Sequence, residues 1–292
     1  MRLSITNGGL DSKFGYKTSL KMIKDAGFDA VDYDLAARSE EHQLGDDYVE
    51  QAKQMRAYMD EIGLVCIQSH GPFPVNCKKP LDDTYEQFVK IKRAIEFTAI
   101  LGAPVIVIHS IEMPKELFKD MFACNYNFYK TLQPYAEKFG VRIAIENLYI
   151  EDEKRHHYHA PGRFSTPDIM DKFLDALNSD TFCVCLDTGH AALCGIEPWM
   201  FVDNLENKNA LAALHVHDVD YASDTHTVPY NIRRSIKGID WERTMHSLYQ
   251  AGYKGDLSFE SGAFHFSYPN ELIPDALAFT ARIGKYLVSL FK

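Results

Sequence analysis

Six side chains able to ligate a cation or move a proton stand at the ends of successive apolar runs. His70 closes Val65-Cys66-Ile67-Gln68-Ser69, His109 follows Val105-Ile106-Val107-Ile108, and Glu146 follows Ile143-Ala144-Ile145. Asp187 closes Phe182-Cys183-Val184-Cys185-Leu186, His215 follows Leu211-Ala212-Ala213-Leu214, and Glu260 follows Leu257-Ser258-Phe259. A histidine in such a place, taken alone, is more often hydrogen-bonded structure than a ligand. A carboxylate there is harder to explain as structure, because such groups are seldom buried unless paired or bound to metal. Six separate structural explanations are a poorer account than one shared metal site. Three carboxylates with one imidazole suit a hard or borderline divalent cation: Mn²⁺, Mg²⁺, Co²⁺ or Zn²⁺. The ligand types do not choose among these. His190, three residues beyond Asp187 in Leu186-Asp187-Thr188-Gly189-His190, can bind substrate or a second metal.

The elements that must position these groups recur as one unit: a helical stretch, a glycine, then a short β-rich run with polar or ionisable residues at its end. The unit appears around Gly27, Gly63, Gly102, Gly140 and Gly252. Glycine just past a helix supplies the left-handed residue that ends it, and the Val/Ile/Leu-rich run fits a strand buried on both faces. Further strands are expected at Leu3–Thr6, Phe182–Asp187 and Leu211–His217, with helices at about 17–26, 47–62, 83–101, 114–139, 168–178, 198–208, 240–251 and 270–290. Eight strands alternating with eight helices, with no linker or composition shift between them, predict an α/β fold: a single (β/α)8 TIM barrel of parallel strands spanning residues 1–292 as one domain. An open doubly wound sheet is the alternative, but no glycine-rich phosphate loop follows the first strand. In such a barrel the C-terminal ends of the strands form the mouth, so the six groups would converge there.

Composition narrows the partners. A net charge of −10 opposes a phosphate backbone, so no nucleic-acid partner is expected. No run approaches the roughly 20 apolar residues a membrane helix needs, and the N-terminal residues read as a strand rather than a signal peptide, which predicts a cytoplasmic protein without a membrane partner. Six cysteines lie scattered without a CxxC pair, and Cys66, Cys183 and Cys185 read as reduced core residues. Homo-oligomerisation is left open.

The motifs Ile145-Glu146-Asn147, Leu186-Asp187-Thr188-Gly189-His190, Leu214-His215-Val216-His217-Asp218, Gly238-Ile239-Asp240-Trp241 and Phe259-Glu260 together resemble the xylose isomerase-like barrel superfamily, above all its sugar isomerases and ketose 3-epimerases. The resemblance covers essentially the whole chain in order. It implies that Glu146, Asp187, His215 and Glu260 bind one divalent metal, that His190 contacts substrate, and that the substrate is a small sugar or sugar derivative; His70 and His109 join His190 as expected substrate-binding residues. The same superfamily includes endonuclease IV, and resemblance to it would make His70, His109, His190, Asp224 and His226 additional metal ligands. That keeps a multinuclear metal-dependent phosphoesterase as an alternative, beside a noncatalytic metal-dependent sugar-binding module.

The resemblance also implies a mechanism: Glu146 and Glu260, on the fifth and eighth strands, act as catalytic base and acid in an isomerase or epimerase that moves a proton beside a carbonyl through an enediolate. One stretch departs from the pattern. The segment from Asp224 to Gly238 is longer and more basic than in these relatives, and Arg233, Arg234 and Lys237 are read as solvated loop charges rather than anion ligands. His156-His157-Tyr158-His159 is read as a solvated polar loop rather than a lid.

Overall fold

The computed structural model describes residues 1–36, 44–152, 156–158, 163–221, 223–232 and 238–292. Eight parallel strands form the barrel: β1 (Leu3–Thr6), β2 (Ala30–Asp34), β3 (Val65–His70), β4 (Val105–Ile108), β5 (Arg142–Glu146), β6 (Phe182–Asp187), β7 (Leu211–His215) and β8 (Leu257–Phe259). Each pairs with the next, and β8 pairs back onto β1 through Leu3↔Leu257. Between β7 and β8 the seam is shorter: Val216 N–H donates to the Ser258 carbonyl (2.7 Å) and Glu260 N–H to the Val216 carbonyl (3.1 Å), which brings the ring round to a TIM barrel. Val216 therefore bridges to β8 beyond the end of β7, and the strand expected to run to His217 stops at His215.

The main helices fall close to the expected positions, Tyr16–Asp25, Tyr48–Ile62, Glu86–Leu101, Met121–Phe139, Pro167–Leu177, Pro198–Asn204, Trp241–Gln250 and Ile273–Leu290. Glu86–Leu101 shows why the repeated unit is readable. Its buried Phe88, Ile91, Ala94, Ile95, Phe97, Thr98 and Leu101 follow helical spacing onto one face, and Gly102 at φ 81 stops it in a conformation a Cβ would strain. Burying one such Phe or Ile side chain contributes roughly 1.5–3 kcal/mol, and several dozen do so between the strands and the helices. The helix expected over 114–139 is two pieces, a 3₁₀ segment at Lys115–Asp120 and the α-helix from Met121. Three short helices not foreseen, Leu10–Phe14, Thr188–Leu193 and Gly262–Phe266, follow β1, β6 and β8 at the mouth. After β5, Ile150–Asp152 and His156–Tyr158 pair antiparallel as a hairpin, so the expected polar loop is ordered strand there; His159 lies outside the described residues, as do Arg233, Arg234 and Lys237.

Inside the ring, the period-two alternation of a strand decides what reaches the mouth. Val105, Val107, Ala144, Cys183, Cys185 and Ala213 form a small inner cluster apart from the main core. Two residues beyond Val107, Ala144, Cys185 and Ala213 stand His109, Glu146, Asp187 and His215. The same step carries Asp32 to Asp34, Gln68 to His70 and Ser258 to Glu260. One half of the barrel floor is thus apolar and the other polar, and the layer above it is almost entirely ionisable. Cys66, Cys183 and Cys185 are buried free thiols, as expected. Among the described residues no helix is long and apolar enough to cross a membrane.

Candidate metal centre

The four side chains singled out from the sequence as one ligand set meet. A single ligand atom from each of Glu146, Asp187, His215 and Glu260 can be chosen so that all lie within 4.8 Å of one another. His215 sits between two of the carboxylates: its Nδ1 is 3.3 Å from Glu146 Oε1 and 3.3 Å from Glu260 Oε2. Its other nitrogen, Nε2, is 3.3 Å from Asp32 Oδ2, which also accepts from Gln68 Nε2 (2.7 Å) and Ser258 Oγ (3.2 Å). Asp32 therefore fixes the imidazole from below and leaves Nδ1 turned to the centre, the arrangement by which outer carboxylates orient metal-binding histidines.

The backbone turns that present these groups are specific. Asn147 locks the ends of β5 and β6 together, donating from Nδ2 to the Asp187 carbonyl (3.0 Å) while its Oδ1 accepts from Asp187 N–H (2.7 Å). Asp187 then caps the helix Thr188–Leu193 by accepting the His190 N–H at 2.6 Å, which swings His190 over the cavity. Gly189 is required by space: a Cβ there would run into the His217 ring. Asp218 and Trp241 prove to be framework, since Trp241 Nε1 donates to Asp218 Oδ2 (3.2 Å) beneath the loop and Asp240 caps the helix Trp241–Gln250.

A second group lies beside the first. His190, His217, Asp224 and His226 also bring ligand atoms within 4.8 Å of one another, and Glu146 is shared with a third set, His70 and His215. His190 Nε2 and His226 Nε2 are 3.2 Å and 3.0 Å from Asp224 Oδ2, while His217 and His226 stack with ring centroids 4.1 Å apart. His109 Nε2 lies 2.9 Å from Glu146 Oε2 and 3.0 Å from His70 Nε2. The Glu146–His109 approach lacks hydrogen-bond alignment, and Glu146 Oε2, Asp32 Oδ1 and Asp224 Oδ1 are buried without any donor among the described residues. Acceptors gathered without donors fit a cation at the centre.

The charges are strongly coupled. Burial disfavours an ionised Glu146, but the neighbouring His215, His109 and His190 outweigh it and hold its carboxyl well below the usual range. Burial opposes a proton on His215, His190 and His226 too, and the surrounding anions reverse that, lifting His226 to about 10 and the other two well above the ordinary histidine value. His109, where burial prevails, is pushed down to about 4, and Asp34 is pushed up to about 6 by its burial.

Every sequence-predicted site residue thus lies at this mouth, and all but Asp187 line one cavity of about 710 Å³. Four contributors were missed: Asp32, Asp34, His217 and Arg163. Asp32 and Asp34 carried a signal, the same strand alternation read one strand earlier; Arg163 carried none. Phe73 adds an apolar face, its ring stacked 4.3 Å from His109.

Residues 20–283 match the xylose isomerase-like TIM barrel family, and the chain belongs to it. An uncharacterised protein y4fM of Sinorhizobium fredii is 24% identical over 277 residues, 85% of this chain and 81% of that one. Inosose dehydratase of Lacticaseibacillus casei is 22% identical over 253 residues, 80% of each. Among solved structures, a D-tagatose 3-epimerase-like protein superposes with a TM-score of 0.74 at 18% identity, covering 100% of this chain and 98% of that one.

Proposed function

We propose that this xylose isomerase-like barrel, folded as one domain over residues 1–292, is a divalent-metal-dependent isomerase or epimerase of a small sugar or sugar derivative. The observation that carries the reading is the convergence of Glu146, Asp187, His215 and Glu260 within 4.8 Å at the base of a 710 Å³ cavity. The similarity to a D-tagatose 3-epimerase-like fold and to an inosose dehydratase supports a sugar as substrate. A bound cation would neutralise negative charge developing on adjacent substrate oxygens. Glu146 and Glu260, flanking His215 from β5 and from the end of β8, are the base and acid: one carboxylate takes the proton from the carbon beside the carbonyl, and the other returns a proton to a neighbouring position or the opposite face. His70, His109 and His190 hold the sugar hydroxyls. Exchange of a carbon-bound hydrogen with solvent deuterium tests this directly.

A second reading rests on the group His190, His217, Asp224 and His226. If it and the set of His70, Glu146 and His215 also hold cations, the centre is multinuclear and suits phosphoester hydrolysis. Metal-dependent sugar binding without turnover is the outcome in which neither reaction is found.

A further inference from the structure

Arg163 enters the cavity from the loop ahead of the helix Pro167–Leu177, anchored where its carbonyl accepts the Leu148 N–H (2.8 Å). Its side chain is only 14% exposed. Yet its Nε is buried with no hydrogen-bond partner among the described residues. The nearest ion-pair partner among the described residues, Glu112 Oε1, lies 3.8 Å from Nη1, beyond hydrogen-bond reach, on a carboxylate that is itself 57% exposed. A guanidinium stays charged at any physiological pH and carries five donors in a rigid fork. Leaving the buried Nε–H unmade in a low-dielectric wall is costly unless something that visits the cavity completes it.

The rest of the cavity sharpens what that visitor is. Among the described residues that line it, Arg163 is the only arginine or lysine; Asp32, Asp34, Glu146, Asp224 and Glu260 are all anionic groups or acids. The same cavity also has apolar lining, from Met113, Phe118, Met121 and Leu148. A volume of about 710 Å³ lies inside the range of roughly 300–1,000 Å³ typical of small-molecule sites. If Arg163 served only to offset the carboxylates, it would be expected to hydrogen-bond one of them, and it does not.

We propose that Arg163 is a substrate-positioning residue that takes an oxyanion carried at the end of the sugar not held by Glu146, Asp187, His215 and Glu260, so that the substrate is a sugar acid or a sugar phosphate. This rests on the reading that the cavity turns over a small sugar. Bidentate pairing of a guanidinium with carboxylate or phosphate supplies both the charge and the geometry.

The test is calorimetric titration of the Mn²⁺-loaded protein with D-fructose, D-fructuronate and D-fructose 6-phosphate. At least one anionic sugar should bind about ten- to hundredfold more tightly than D-fructose, as a charge-assisted hydrogen-bonded pair provides. Arg163→Met and Arg163→Lys, shown folded by their melting curves, should lose that preference while D-fructose binding stays within about threefold. Which anion is preferred separates sugar acid from sugar phosphate. Equal or undetectable binding of both anions relative to D-fructose, or a preference that survives in Arg163→Met, overturns the proposal. Because binding is the readout, an Arg163-dependent preference without carbon–hydrogen exchange would sink the isomerase reading alone, whereas exchange on D-fructose with no anion preference would sink this one alone.

Discussion

His217 Nε2 lies 3.0 Å from Asp187 Oδ2 and 3.9 Å from Asp224 Oδ1, so one fully buried imidazole joins the two neighbouring groups of ligands. Asp187 is thereby held from two sides, by the His190 N–H on Oδ1 and by His217 on Oδ2. Replacing Asp187 or His215 with Ala removes a proposed ligand and should abolish tight Mn²⁺ occupancy in equilibrium dialysis with metal analysis. His217→Asn leaves Glu146, Asp187, His215 and Glu260 in place but removes the support of Asp187, and should weaken the first cation about ten- to hundredfold, as loss of an outer partner does. Undiminished occupancy in Asp187→Ala and His215→Ala would reject the ligand set.

Asp32 acts on the same centre from beneath. Its carboxylate, 3.3 Å from His215 Nε2, fixes the ring so that Nδ1 faces Glu146 and Glu260. Asp32→Asn keeps the size but removes the charge and should cost about ten- to hundredfold in Mn²⁺ affinity, measured by competition with a chelator. An affinity unchanged from wild type would show that Asp32 merely fills the barrel floor.

His265, away from the centre, sets a pH dependence of stability. It is buried, its Nε2 is 2.9 Å from Thr280 Oγ1, and Thr280 already donates to the Ala276 carbonyl at 3.0 Å, so the neutral ring donates from Nε2. Burial lowers its pKa from 6.5 to about 4. A depressed histidine stabilises the fold fully above its unfolded value, and that contribution drains away as pH falls from about 6.5 toward about 4. Between about pH 7 and pH 5 the loss should be about 2 kcal/mol. His265→Gln, which can still donate to Thr280, should show a stability curve flatter by that amount in urea unfolding; parallel curves for the two proteins would contradict the assignment.

The acidic balance sets an expectation against the multinuclear reading. With a net charge of −10, the protein lacks the general means of neutralising a duplex backbone, so an abasic duplex at low salt should remain uncut. Metal-dependent nicking that disappears in Glu260→Gln would move the substrate class to nucleic acid.

What the sequence disclosed and what it withheld follow from one geometric rule. His70, His109, Glu146, Asp187, His215 and Glu260 were legible because each ends an apolar run, and strand alternation put all six at one mouth. Asp32 and Asp34 obey the same alternation, but they interrupt the short run Ala30-Val31-Asp32-Tyr33-Asp34, where the carboxylates read as polar breaks rather than as an inward face. His217 was absorbed into an over-long strand, because nothing local marks the place where Val216 leaves β7 to pair with β8. Arg163 sits in a loop without periodicity, and only the folded cavity reveals that its Nε–H has no partner among the described residues. The short helices at the mouth escaped because five or six residues are too few to carry a helical period.

The central claim, that Glu146 and Glu260 move a proton beside a carbonyl, is tested most directly by solvent exchange. A responsive ketose or aldose incubated in D₂O with Mn²⁺-saturated protein should acquire deuterium at carbon during turnover, read by NMR. Glu146→Gln and Glu260→Gln keep side-chain size and one oxygen donor but lose the proton-accepting carboxylate, and each should lower the rate at least about a hundredfold, with metal occupancy measured beside the rate. Normal turnover and exchange in both fully metallated variants would contradict the two-glutamate account.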